Sequence, residues 1–364
     1  MRRLRCARDP GRAARGRLVA HAVLVGGVMA DRTGVWGPRL RLRVPVPHLA
    51  GESTGSFVNR LAHAHELELG DLLDRVGTGR QPVNPRLPAL AELYVNRAAL
   101  DHLAVLSGRT PHRLQLALTN LQARFLLPGD DPARWQWPFE VREGHVVRCC
   151  DLCALARGVG EAAWLMWPDP WRVCLRHRRF TDDHRGQDPH VVALEGLPEV
   201  VRAHADRLRL ERRFGAAGAE LFADGFQMVA RWWERTPDVW SWTQRAWRAG
   251  LEARELRTGP LVIYPEAVQL AREMLRYEQR GEHTPAARAV WVQDVQQLMA
   301  GWGLEDVDGW GELAQWLDHH AQPAAAPFAD GAGGARRRRR RVLAVGHSRL
   351  AEPSGSLRER SCMV

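Results

Sequence analysis

Four of the six cysteines in this 364-residue chain fall in one stretch, Arg148 to His177, "RCCDLCALARGVGEAAWLMWPDPWRVCLRH". Two residues separate Cys150 from Cys153, two separate Cys174 from His177, and twenty lie between the pairs. Thiolate and imidazole are the ligands that structural zinc takes, and a two-residue gap lets one turn of backbone aim both at one ion. Cys150, Cys153, Cys174 and His177 would fill a tetrahedral shell with no open position, which is the pattern of a structural Zn2+ rather than a catalytic one. "HVVRC" and "WRVC" read as short strands feeding two knuckles, as in a zinc ribbon. Two other readings compete. A redox Cys-x-x-C lacks a thioredoxin-like βαβ context, and four buried free cysteines leave the pairing unexplained. Cys149 is a spare thiol, packed or facing outward, with alternative ligation as a third role.

Catalytic metal chemistry fits these residues poorly. Zinc deaminases combine His-x-Glu with Pro-Cys-x-x-Cys; here Cys149 precedes Cys150, and neither half-site holds His-x-Glu. His63, His65 and Glu66 sit together, but "HAHE" lacks the i, i+4 histidines of metalloproteases. The sequence shows no Gly-rich phosphate loop, no Gly-x-Ser-x-Gly and no convincing carboxylate pair. A zinc hydrolase is therefore the remotest functional reading. Arg172, Arg176, Arg178 and Arg179, together with Arg157, flank the knuckles. Such a cationic rim binds phosphates or simply faces solvent.

The elements that must position this stretch are mostly helical. Residues 40–47, "LRLRVPVP", alternate apolar and basic side chains and suit a short edge strand or an extended lead-in. Ser53 or Thr54 can cap a helix with Phe57, Leu61 and Ala64 on one face, and Gly70-Asp71 begins a second with Leu72, Leu73 and Val76 inward. Together they make a helix-turn-helix-like pair. The pattern recurs: Arg60–Val76 lies over His102–Leu118 without a gap, matching Leu61-Ala62 to Leu103-Ala104 and Leu72 to Leu114. In the second copy Gly108 stands where a tight turn needs φ > 0. Thr110 then caps a helix with Pro111 in its first turn. Plain helical packing and a DNA-reading motif both account for this repeat. Glu68, Gly70, Asp71 and Asp74 of the first copy form an acidic set that phosphates repel. Arg109, Thr110, His112, Arg113 and Gln115 of the second suit phosphates and base edges. DNA contacts in this half are expected through Arg109, Arg113 and Gln115, and protein contacts through the first pair.

Pro, Gly and Asp in "LPGDDPARWQWP" (Leu127–Pro138) break the helical pattern and mark a boundary. From Leu194 to Ala321 the pattern is helical again. Its tryptophans, Trp232, Trp233, Trp240, Trp242, Trp247, Trp291 and Trp316, have spacings that predict core positions. The organisation read from these signals has five parts. Residues 1–39 are a basic arm, disordered or preceding the true start, and 40–127 form the helix-turn-helix-like region. The zinc module spans 139–185, a helical C-terminal region spans 194–321, and 322–364 form a disordered Arg-rich tail. The fold class is mainly α with a small zinc-ribbon-like module.

Forty-five per cent hydrophobic and 26% charged residues describe an ordinary globular chain. The net charge of +10 is concentrated at the ends: residues 1–28 carry +6 and residues 336–364 carry +7, leaving −3 for residues 29–335. A nearly neutral body needs a local patch if it is to hold DNA. The chain contains no lysine, and an all-arginine basic set reflects GC-rich coding. The N-terminus resembles a secretory signal, with an apolar run from Leu18 to Val28 that is too short to span a membrane. A disordered basic arm and a start read too early, with Met29 as the true start, compete with that reading and are favoured over it. Cysteines spaced as metal ligands favour a reducing, cytoplasmic setting.

The opening "PVPHLAGESTGSFVNRLAHAHELELGDLL" and the later Cys/His stretch together resemble the TniQ/TnsD family of bacterial transposition proteins. That family opens on a Pro-rich strand and a Gly-Glu-Ser turn into a helix bearing an aromatic residue and Arg-Leu. Gly51-Glu52-Ser53, Phe57 and Arg60-Leu61 stand at those positions. Its zinc module reads C-P-x-C, a Trp-containing strand and V-C-x-x-H, matched by Cys150-Asp151-Leu152-Cys153, Trp171 and Val173-Cys174-Leu175-Arg176-His177. Asp151 replaces the usual Pro and Cys149 a common aromatic; neither change removes a ligand. The resemblance covers residues 40–185. It implies a non-enzymatic adaptor for transposon target selection. Its partners would be DNA and an AAA+ transposition ATPase or other transposition proteins, with no membrane; a homo-dimer is a separate expectation. A zinc-containing helix-turn-helix regulator outside transposition is the alternative.

Overall fold

Ser53 opens the first helix as its position requires: its hydroxyl accepts the Ser56 N–H at 3.3 Å. In this computed structural model, which describes residues 37–80, 92–137, 141–183, 191–236, 238–281, 284–305 and 310–321, that helix is α1 (Thr54–His63). α2 (Leu69–Val76), β1 (Thr78–Arg80), β2 (Tyr94–Val95), α3 (Arg97–Ser107), α4 (Pro111–Ala117) and β3 (Arg134–Gln136) complete the N-terminal unit. Residues 1–36 of the basic arm and all of the Arg-rich tail lie outside the described residues. Residues 40–47 form no strand; they run as an extended strap. Its Leu42 N–H reaches the Leu106 carbonyl at 2.9 Å, and its Val44 carbonyl meets His65 Nε2 at 3.0 Å. The strap thus crosses the turns of both helix pairs.

The repeat is visible in the backbone. In the first pair the Leu67 N–H returns to the Ala62 carbonyl, and in the second the Arg109 N–H returns to the Ala104 carbonyl, both at 3.0 Å. The left-handed position is Glu66 (φ 54°) in one copy and Gly108 (φ 65°) in the other, 42 residues on. Leu61, Leu72, Leu103 and Leu114 are all buried in one core. β3 lies inside the Pro- and Gly-punctuated stretch Leu127–Pro138. It pairs parallel with β1 and antiparallel with β2, and carries Trp135 and neighbouring Trp137 into that same core.

The Gly-Glu-Ser turn is a seam. Glu52 is fully buried and accepts Arg60 Nε at 2.9 Å and Nη2 at 2.8 Å, the Ser56 hydroxyl at 3.1 Å and the Leu49 N–H at 3.0 Å. A buried carboxylate so fully hydrogen-bonded avoids the penalty of an isolated charge. The Gly51 carbonyl accepts the Met166 N–H at 2.8 Å, and the Ser53 N–H reaches the Trp164 carbonyl at 2.9 Å. Those two partners lie on β5 (Trp164–Trp167), antiparallel to β4 (His145–Arg148). The turn therefore stitches α1 to the strand pair that carries the first knuckle.

α5 (Asp151–Leu155) follows β4, and β6 (Trp171–Cys174), β7 (Arg179–Asp182) and β8 (Val192–Ala193) form an antiparallel sheet. Behind it lie α6 (Pro198–Phe214), α7 (Ala216–Arg235), α8 (Trp240–Ala249), α9 (Gly259–Val262), α10 (Tyr264–Arg280), α11 (Pro285–Trp302) and α12 (Trp310–Ala321). One apolar core runs from Trp171, Val173, Phe180 and Val192 of the sheet through to Leu317 of α12. Trp171 sits against Phe180, Phe222, Phe226 and Tyr264, with centroids 4.8–6.4 Å away. Asp169 pairs with Arg207 at 2.7 Å and Asp182 with Arg257 at 2.9 Å. The second half of the ribbon thus belongs to the helical bundle's core. Trp232, Trp233, Trp242, Trp291 and Trp316 are buried as expected, but Trp240 and Trp247 are exposed. The reason is angular: α8 turns Trp242, Arg245 and Ala246 inward, which leaves the 240/247 stripe outside. Among the described residues no helix is long and apolar enough to cross a membrane.

Candidate metal centre

The two knuckles are built differently. Cys150 ends β4's extension and precedes α5, whose Ala154 N–H returns to the Cys150 carbonyl at 3.0 Å; Cys153 thus sits in the first helical turn. Cys174 ends β6, and the reverse turn after it places His177 beside it, with Arg178 left-handed at φ 48°. The first knuckle rests on the cluster of Leu49, Cys149, Ala154, Val159, Ala163 and Leu165, the second on the bundle core.

These elements bring Cys150, Cys153, Cys174 and His177 together, all four ligand atoms within 4.8 Å of one another. Cys153 and Cys174 Sγ are 3.6 Å apart, and His177 Nδ1 lies 3.5, 3.3 and 3.7 Å from the sulfurs of Cys150, Cys153 and Cys174. A tetrahedron with zinc's usual bond lengths has S···S edges of about 3.8 Å and S···N edges of about 3.5 Å. The separations fit. They are far beyond a disulfide, and all four cysteines of the stretch are free.

The protonation pattern follows from the surroundings. Burial, and then the neighbouring Cys174 sulfur, push the Cys153 thiol up to about 12. Burial also acts on Cys174, but hydrogen bonds from the His177 and Arg176 backbone and from the Cys153 and Cys150 thiols outweigh it and hold that thiol below its ordinary value. Cys149 is different. It is 4% exposed, packs among Leu49, Ala163 and Leu165, and burial pushes its thiol up to about 11. It is a packing residue.

Around the cluster, Arg176 and Arg178 are exposed, while Arg179 is half-buried on β7 and Arg172 half-buried over the Trp167 ring at 4.8 Å. In the second helix pair Arg113 is exposed and Arg109 partly so, both near enough to help hold the His48 imidazole below its usual pKa, after burial itself. Gln115 is half-buried, and its amide donates to the Leu121 carbonyl at 3.0 Å, bracing the turn after α4.

Residues 43–180 match the TniQ family model. The chain carries a TniQ domain. The match takes in the strap, both helix pairs, the seam and both knuckles, and ends within β7. The match to residues 43–180 points to transposition. Comparison with curated proteins and with solved structures gives no match. The sequence named Glu52 and Arg60 only as part of the family pattern; their pairing shows why they occur together. Glu92 was missed. It is buried beneath α1, accepts the Thr54 N–H at 2.9 Å and the Leu93 N–H at 3.1 Å, and burial raises its carboxyl to about 7. Nothing in the local pattern of "PALAELYV" sets that glutamate apart from a surface one.

Proposed function

We propose that this protein is a non-catalytic target-selection adaptor that joins DNA, or a DNA-bound complex, to a transposition ATPase. The observation that carries this reading is the TniQ domain, with its two knuckles converging on one Cys3His cluster. Four protein ligands would leave a bound ion no position for water or substrate. The ion is zinc, on the grounds of its ligand set and edge lengths, and its role is to hold the fold. Bound there, it supplies no reaction; it would tie the N-terminal helical unit to the bundle, because each contributes one knuckle.

DNA is held by phosphate contacts from Arg109 and Arg113 of the second pair, and from Arg172, Arg176, Arg178 and Arg179 beside the knuckles. Gln115 can read a base only by giving up Leu121. The acidic faces of Glu68, Asp71 and Asp74 turn towards the protein partner. The test is reconstitution. The purified chain should associate with an AAA+ ATPase encoded beside it and bring that ATPase to DNA in a gel-shift assay. Sequence-specific DNA binding with no such association would favour the stand-alone regulator instead.

A further inference from the structure

α6 and α10 leave a shallow groove between them, about 300 Å³, low in the range of small-molecule pockets. Its walls are two rows of arginine, Arg209 and Arg213 on α6 and Arg272 and Arg276 on α10, all four exposed. Residues four apart on a helix share a face, so each wall carries two guanidinium groups about 6 Å apart along its axis. The floor is apolar: Leu210 is buried, and Phe214 and Leu275 are half-buried against the bundle core. Against the four arginines the lining holds one carboxylate, Asp206, which Arg209 and Arg272 share. Arg276 meets Glu273, and Arg213 lies over the Phe214 ring, 5.2 Å from its centroid. Ion pairs as exposed as those of Arg209 and Arg272 hold weakly and give way to a better-placed carboxylate.

A ligand for this groove must offer apolar side chains to the floor and anions to both rims. A phosphate backbone would satisfy the rims and leave the floor in water, and a wholly apolar segment would leave the arginines unmatched. The chain's own ends do not fit either: residues 1–28 carry +6 and residues 336–364 carry +7, which the walls repel. We propose that the α6/α10 groove is the docking site for an acidic amphipathic helix of a partner protein. The apolar stripe of that helix, repeating at i, i+3, i+4 and i+7, lies on Leu210, Phe214 and Leu275. Glu and Asp on its flanks meet the arginine rows, and this charge matching selects the partner more than it tightens the contact. Both α6 and α10 lie beyond residues 43–180, so the site is independent of the DNA and ATPase reading, and its test needs neither.

The probe is a fluorescein-labelled peptide of about 18 residues, five helical turns, with a Leu/Phe stripe bordered by glutamates. Its control is a scrambled peptide of the same composition and charge with the stripe broken. The Arg-rich ends attract any acidic peptide, so the difference between the two is the readout. In fluorescence anisotropy with the zinc-loaded full chain, the striped peptide should bind at least about 10-fold more tightly than the scrambled one. Replacing both Arg209→Glu and Arg213→Glu reverses one wall and should abolish that difference, and because both side chains are exposed the thermal melt should hold. Leu275→Gln, which alters the floor without changing charge, should shrink the difference as well. Equal binding of the two peptides, or no binding at about 100 μM, would overturn the proposal. So would a preference that survives both sets of substitutions. Displacement of the peptide by random duplex DNA, with DNA affinity falling in the double variant, would assign the groove to nucleic acid and equally overturn it.

Discussion

At the residue scale the four ligands and their thiol neighbour make opposite predictions. Cys153→Ser removes a ligand from a closed shell, and metal binding in small zinc modules contributes on the order of 10 kcal/mol to folding. The variant should lose its metal, and its ribbon should become protease-sensitive. Cys149→Ala removes only a packed sulfur and should retain full metal content. Glu92 gives a pH signature. Its folded carboxyl titrates near 7, raised by burial from 4.5. Both states are protonated below about pH 4.5, so Glu92 costs the folded state least there. As pH rises, the unfolded chain ionises first, and the folded state loses about 3 kcal/mol by the time pH passes 7. Glu92→Gln, compared with the unaltered chain by denaturant titration from pH 5 to 8, should remove that slope. His204, held down to about 4 by burial and then by Arg207, acts in the opposite sense below pH 6.5 and is common to both chains. The Cys/His cluster was legible because metal geometry constrains spacing directly. Glu92 was not, because its burial is imposed by helices distant in sequence.

At the element scale the two helix pairs differ at one informative position. Both turns need a left-handed residue, and an L side chain there costs roughly 1–2 kcal/mol. Glu66→Gly should therefore stabilise the chain slightly, while Gly108→Ala should destabilise it by about that amount; calorimetric melts of the two variants would read both signs. The repeat was legible because capping, turn and apolar spacing are local. The strap over residues 40–47 was readable as extended but not as a clamp across both turns, since its partners Leu106 and His65 lie far along the chain. The exposed pair Trp240 and Trp247 escaped the same reading for a related cause. Spacing places them on one stripe of α8, yet which stripe faces the core is decided by α8's neighbours. Spacing alone favoured burial for all seven of the tryptophans named in the C-terminal region.

At the scale of the whole molecule, charge and metal divide the work. The body from residue 29 to 335 is nearly neutral, while residues 336–364 hold nine arginines. Deleting that segment should weaken binding to random DNA and lower its salt slope by several units at most, at about 0.9 per phosphate neutralised; an unchanged slope would remove the segment from the DNA contact. A metal's part here would be cohesion. One knuckle rests on the seam with α1, the other on the sheet that enters the bundle core, so one ion bound between them would hold both halves of the ribbon and, through them, both halves of the chain. Native mass spectrometry of the purified protein tests this most directly. The predicted result is one zinc per chain, whose removal by chelation loosens β4–β5 and β6–β7 together in hydrogen exchange. A folded, metal-free chain with both strand pairs fully protected would contradict it.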